Sequence, residues 1–251
     1  MIRPATEGAG TAMAEASPIQ TEEGRQLLAE VLAANAALNA MAEADRARHL
    51  QESLFQPLLA PEGNRPDLIV GGRQPALISK YRHMDGRLFC LITRYDSTNK
   101  DERKLILPWA YGIWNGQTGW HRKLPPGRRP LLGIYEALQN LQTGGKAKPA
   151  LVVEGEKTWE AARRLVGGRY FCFTWLGGTS AVEKSDWRAL DGFPAIYIWP
   201  DNDKAGLAAA KRIAQILKAY PPARVFIVKP PEGRGAGWDL ADAESEGLAV
   251  Q

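Results

Sequence analysis

Residues 149–180 read PALVVEGEKTWEAARRLVGGRYFCFTWLGGTS, and residues 195–206 read AIYIWPDNDKAG. Short apolar runs at 150–153, 170–175 and 195–199 are each followed by a helical pattern, at 156–166, 182–190 and 204–219. A fourth apolar run lies at 224–228. Strands that are apolar throughout, with helices between them, predict a parallel sheet buried on both faces. The fold class read here is therefore α/β, a Rossmann-like four-stranded parallel sheet with flanking helices over residues 148–247.

In such sheets ligands bind beyond the carboxyl ends of the strands. Those ends carry Glu154-Gly155-Glu156-Lys157, then Asp201-Asn202-Asp203-Lys204, and after the last strand Gly237-Trp238-Asp239. Carboxylates gathered at one edge repel each other and lose hydration, so they call for a cation. Mg²⁺ suits that donor set, because it takes oxygen ligands and is shared with substrate phosphates. Glu154 has two open roles, ligand or general acid/base. Taken singly each motif has an ordinary reading: Asp-x-Asp is a common solvated turn, and Glu-Gly is a common strand end. Leu176-Gly177-Gly178-Thr179-Ser180 has backbone N–H groups that can cradle a phosphate, or it is a tight strand-to-helix turn. Lys157 and Lys204 either steady phosphates or balance charge. Gly155-Glu156-Lys157-Thr158 lacks the Gly-Lys-Ser/Thr ending of a P-loop, which excludes ATP binding of that type.

Working outward, residues 77–147 are β-rich. Runs at 77–81, 88–93 and 105–107 are strand candidates, with turns at Asp85-Gly86, Asn115-Gly116 and Thr118-Gly119. A helix is expected from about 131 to 142, ending at Gly144-Gly145. Residues 57–76 are rich in Pro and Gly and read as a linker. Residues 1–56 read as a disordered tail and an N-terminal helix starting at Ser17-Pro18-Ile19-Gln20.

The chain has 251 residues, of which 45% are hydrophobic and 24% charged, enough for a packed core without staples. Cys90 and Cys172 are its only cysteines, which excludes a disulfide framework and a four-cysteine zinc ribbon. No apolar run reaches the roughly 20 residues of a membrane span. A cytoplasmic location and no membrane partner are the expectation. Charge is uneven: 4 Lys/Arg against 9 Asp/Glu in residues 1–64, but 14 against 6 in residues 65–147. A basic middle segment fits a polyanion. Arg122, Lys123, Arg128 and Arg129 lie there, close in sequence to Trp109, Trp114 and Trp120. Cations neutralise phosphates, and a ring such as Trp120 either stacks on an unpaired base or packs the β unit.

The ordered set Glu154-Gly155, Asp201-x-Asp203 and Asp239 resembles the Toprim domain. The longer strings VVEGEKT, WPDNDKAG and GWDLADA resemble the primase-type Toprim proteins of phages and mobile elements, many of them fused to a helicase. Tyr81, Gly86, Arg94-Tyr95-Asp96, Leu107-Pro108, Gly119-Trp120 and Arg129-Pro130-Leu131 fit the region that precedes Toprim in those proteins. The resemblance implies that Glu154 is the acid/base glutamate and that Asp201 and Asp203 bind metal, with Asp239 as a further acidic member. It implies Mg²⁺ or Mn²⁺ as cofactor, and a single-stranded DNA template, ribonucleoside triphosphates and a replicative helicase as partners. The expected activity is synthesis of short RNA primers in replication of a phage, plasmid or mobile element. Two alternatives stand beside it, a Toprim nuclease and a non-catalytic nucleic-acid-binding accessory subunit. Two departures bear on them: Thr158 stands where many relatives carry an acid, and no cysteine/histidine zinc module is present.

Overall fold

The computed structural model describes residues 22, 26, 29, 54–97, 104–219 and 224–248. Glu22, Gln26 and Ala29 are helical; the rest of the expected tail and N-terminal helix lies outside the described residues. Residues 54–251 form one compact unit and residues 1–53 another.

The first layer is antiparallel. Its strands are β1 (Gln56–Pro57), β2 (Leu77–Arg82), β3 (Leu88–Tyr95), β4 (Leu105–Trp114) and β5 (Gln117–His121), ordered β1-β4-β3-β2 with β5 also paired to β4. Asn115 (φ 49°) and Gly116 (φ 72°) make the β4–β5 reversal, both in the left-handed region that a two-residue hairpin favours. That reversal corrects one expectation. Thr118 and Gly119 are not a turn but pair with Ile113 and Gly112, because the chain has already turned two residues earlier. The segment read as a linker is laid along this sheet. Gln56 and Pro57 pair with Ile113 and Gly112, and the Tyr95 hydroxyl donates to the Leu68 carbonyl at 2.6 Å.

The second layer opens with α1 (Ile134–Gln142). It continues as β6 (Ala150–Val153), α2 (Glu156–Val166), β7 (Phe171–Phe173), β8 (Ala195–Trp199), α3 (Lys204–Leu217), β9 (Arg224–Ile227) and α4 (Leu240–Ser245). All four strands are parallel, in the order β7-β6-β8-β9. Every residue of β6 is buried, which is why its sequence shows no polar alternation. The helix expected over 182–190 is instead two 3₁₀ turns, Thr179–Lys184 and Trp187–Leu190. The break has a cause. Arg129 donates its N–H to the Lys184 carbonyl and accepts from the Asp186 N–H, both at 2.8 Å, which pulls Ser185 into an extended conformation.

Two cores flank the parallel sheet. On one face Ile134, Val152, Phe173, Ile196, Ile198 and Ile213 pack together. On the other, Leu151, Val153, Trp159 and Leu240 pack with Tyr81, Cys90 and Ile92 of the antiparallel sheet. Each such side chain contributes about 1.5–3 kcal/mol when fully buried. The shared second core holds the antiparallel sheet over the carboxyl edge of the parallel one, and the cleft between them follows from it.

Candidate active-site cleft

Strand β6 ends at Val153 and hands the chain to Glu154 and Gly155. Gly155 takes φ 81°, ψ 153°, a conformation open to glycine, and α2 starts at the next residue. Glu154 is half-buried, and its Oε2 is enclosed with no hydrogen-bond partner. Burial raises its pKa, the Asp203 charge raises it further, and a hydrogen bond from the Thr179 backbone N–H works the other way.

Strand β8 ends at Trp199, and the next turn carries Asp201, Asn202 and Asp203. Asn202 ties this turn to the loop before α4. Its N–H donates to the Trp238 carbonyl at 3.0 Å, and its carbonyl accepts from the Gly237 N–H at 3.0 Å. Its side-chain amide donates to the carbonyls of Arg234 (3.0 Å) and Gly235 (2.9 Å). Asp201 is pushed up to about 7, first by burial and then by the charges of Glu154, Asp239, Asp203 and Asp242. Two strand ends and the last loop therefore bring negative charge to one point.

The remaining acids have structural duties. Asp203 caps α3, accepting from the Gly206 N–H at 2.7 Å. Asp239 caps α4, with Oδ1 accepting from the N–H groups of Ala241 (2.6 Å) and Asp242 (3.0 Å). Its Oδ2 accepts from the Thr158 hydroxyl at 2.8 Å. Thr158, on the first turn of α2, is 4% exposed, so this bond is sheltered from water.

The cleft has a volume of about 580 Å³. Glu154, Asp201, Asp239, Asp242, Lys157 and the Gly177-Gly178 turn line one side. Leu77, Ser79, Ile92, Arg94, Lys104 and Ile106 of the antiparallel layer line the other. Of the residues expected from sequence, Glu154, Asp201, Asp239, Lys157, Gly177 and Gly178 meet here. Asp203 and Lys204 do not line the cleft, although Asp203 is near enough to act on both Glu154 and Asp201.

The five residues expected at nucleic acid are also outside it. Arg122 lies over the Trp109 ring, 5.1 Å from its centroid, and Lys123 lies 4.1 Å over that of Trp114. Trp120 donates to Asn64 at 2.9 Å and makes an edge-to-face contact with Tyr111. Arg128 is exposed and donates to the Ser185 carbonyl at 3.3 Å, and Arg129 donates to that of Leu176 at 3.0 Å. The sequence reading missed Ser79, Arg94 and Lys104. Strand alternation held the signal for two of them, since Leu77, Ser79 and Tyr81 share one face, as do Ile92 and Arg94 across from them.

Among the described residues no three acidic, histidine or cysteine side chains stand ready as a closed cation cage. The chemistry of the donors nevertheless fits a hard divalent cation. The unpartnered Glu154 oxygen, and the burial and carboxylate repulsion that push Asp201 up to about 7, are both relieved by positive charge between them. No helix among the described residues is long and apolar enough to cross a membrane.

The Toprim domain family model matches residues 149–230. Among solved structures, the primase fragment of the bacteriophage T7 primase-helicase is 24% identical with a TM-score of 0.45; the match covers 68% of this chain and 58% of that one. A chain of the T7 lagging-strand DNA polymerase assembly with primase domains of two gp4 subunits is 23% identical, TM-score 0.47, covering 71% and 74%. The Aquifex aeolicus primase zinc-binding and RNA polymerase domains are 19% identical, TM-score 0.45, covering 92% and 54%. None of the curated proteins matches the chain.

Proposed function

Starting from residues 149–230 as a Toprim domain, we propose that this chain is a primase-type nucleotidyltransferase, joining ribonucleotides on single-stranded DNA during replication of a phage, plasmid or mobile element. The observation that carries the reading is the two-sided cleft: carboxylates from separate strand ends on one wall, Arg94 and Lys104 on the other. Nucleotidyl transfer needs both walls. A nucleoside triphosphate brings several negative charges, and catalysis is mostly positioning and charge neutralisation.

Glu154, Asp201, Asp203 and Asp239 are the residues that would hold Mg²⁺ or Mn²⁺, Asp239 from the cleft wall where its capping bonds fix it. When bound, the ion supplies positive charge to the reacting phosphate. The chain's own side chains do the rest. Glu154, whose Oε2 has no hydrogen-bond partner within the protein, accepts the proton of the primer 3′-hydroxyl, at the ion or beside it. The hydroxyl oxygen bonds to the α-phosphorus and pyrophosphate leaves. Lys157, Arg94 and Lys104 hold phosphate oxygens, and the Gly177-Gly178 turn presents backbone N–H groups beside them. Arg122, Lys123 and Arg128 are left as template contacts outside the cleft, and unwinding falls to a replicative helicase.

One observation favours the accessory-subunit reading: both oxygens of Asp239 are already bonded. A single assay separates the readings. The protein is incubated with single-stranded DNA, labelled ribonucleotides and Mg²⁺ or Mn²⁺. Template-dependent short RNA supports the proposal, and shortened DNA without incorporation supports a nuclease. DNA binding with neither product, unchanged in Asp201→Ala, supports the accessory role.

A further inference from the structure

Arg129 belongs by sequence with the basic residues expected at DNA, yet its side chain is turned inward. Its Nη1 donates to the Leu176 carbonyl at 3.0 Å. The Leu176 bond reaches the turn that lines the cleft. Gly177 and Gly178 have φ values of 102° and 66°, and a Cβ on Gly177 would stand 2.8 Å from Arg129 Nη1. Glycine is thus required at 177 both for its backbone conformation and for room.

The contacts continue to the chemistry. The Gly178 carbonyl accepts from Trp175 Nε1 at 2.8 Å, and a Cβ built on Gly178 would stand 3.6 Å from Glu154 Oε1, so the turn lies directly against the Glu154 carboxylate. Arg129 does not line the cleft, whereas Gly177, Gly178 and Glu154 do. We infer that Arg129 is a positioning residue: its Nη1 bond to the Leu176 carbonyl holds the Leu176-Gly177 turn, and the held turn sets Gly178 against Glu154. The inference rests on the reading of the cleft as a nucleotidyl-transfer site. It is distinct from a template contact, because an arginine that neutralises phosphate acts through charge at the surface.

Three variants of the full chain test it, each first checked for a native circular dichroism spectrum and melt. Arg129→Gln removes charge and clamp. Arg129→Lys keeps the charge and loses the fork, and serves should the glutamine variant unfold. Gly177→Ala leaves all charges in place and crowds both the guanidinium and the Ala181 Cβ, each 2.8 Å from the added methyl. The expected result is faster amide exchange across residues 176–182 in all three, read by mass spectrometry. Primer synthesis falls about tenfold or more in kcat, as a displaced catalytic group requires. Affinity for a labelled 20-mer of oligo(dT), and its salt slope, stay as in the wild type. Unchanged exchange over 176–182 would overturn the inference. So would weaker oligo(dT) binding with a salt slope reduced by about one in Arg129→Gln, the mark of a phosphate contact. If the wild type makes no primers, the proposed function fails, while the exchange data still decide for or against the clamp.

Discussion

The Thr158 hydroxyl donates to Asp239 across 81 positions of sequence, at 2.8 Å. It joins the first turn of α2 to the N-cap of α4 and satisfies the one carboxylate oxygen that the cap leaves over. Thr158→Val keeps the shape and removes the donor. The expected loss is about 1 kcal/mol, because the bond is sheltered on the Thr158 side while Asp239 keeps access to the cleft. Urea unfolding with an unchanged m-value checks it.

Tyr81 is fully buried on β2 and donates to Glu156 at 2.9 Å, tying the antiparallel sheet to the start of α2. Burial first, and then the Glu156 charge, raise its pKa well above the usual value near 10. An acid whose folded pKa is raised contributes its full stability below the unfolded pKa and loses it as pH rises beyond that. The protein should therefore lose stability above pH 10, by up to about 1.4 kcal/mol per pH unit from this group. Tyr81→Phe should be less stable at pH 8 by about 1 kcal/mol and should show a shallower alkaline slope. Denaturant melts from pH 8 to 11 measure both.

Asp201 gives the opposite end of the pH scale. In EDTA its folded pKa of about 7, raised mainly by burial and next by Glu154, stands above the ordinary carboxyl value. Its contribution is complete below about pH 4 and is lost as pH rises through 7. Asp201→Asn should thus raise the melting temperature of the metal-free protein by at least about 2 °C at pH 8. At pH 4 it should change little. Thermal melts at the two pH values test the sign.

Gly112 lies where β1 crosses β4. A Cβ there would stand 2.2 Å from the Gln56 carbonyl oxygen and 2.6 Å from the Phe55 ring. Gly112→Ala should expel β1 at a cost of about 1–3 kcal/mol. Limited proteolysis should then cut near residues 55–60 before the rest of the fold.

Much of this architecture was legible in the sequence, and the exceptions share a cause. Continuous apolar runs such as 150–153 mark a buried parallel strand whatever lies around them, and Glu154 and Asp201 follow from where those strands end. Local patterns do not report what a residue far away supplies. Ser185 interrupts a good helical stretch because Arg129 pairs with its neighbours. Residues 57–76 have a linker's composition, yet Leu68 and Asn64 are held by Tyr95 and Trp120. Ser79, Arg94 and Lys104 join the cleft only through the docking of one sheet over the edge of another. The caps that Asp203 and Asp239 make were not legible, because a capping duty looks the same in sequence as a ligand.

The account depends on negative side chains from separate strands sharing one divalent ion. Calorimetric titration of the EDTA-stripped protein with Mn²⁺ tests this directly. The predicted result is saturable binding that Asp201→Asn and Glu154→Gln each weaken at least tenfold. Mn²⁺ binding that is absent, or that both variants leave unchanged, would contradict it.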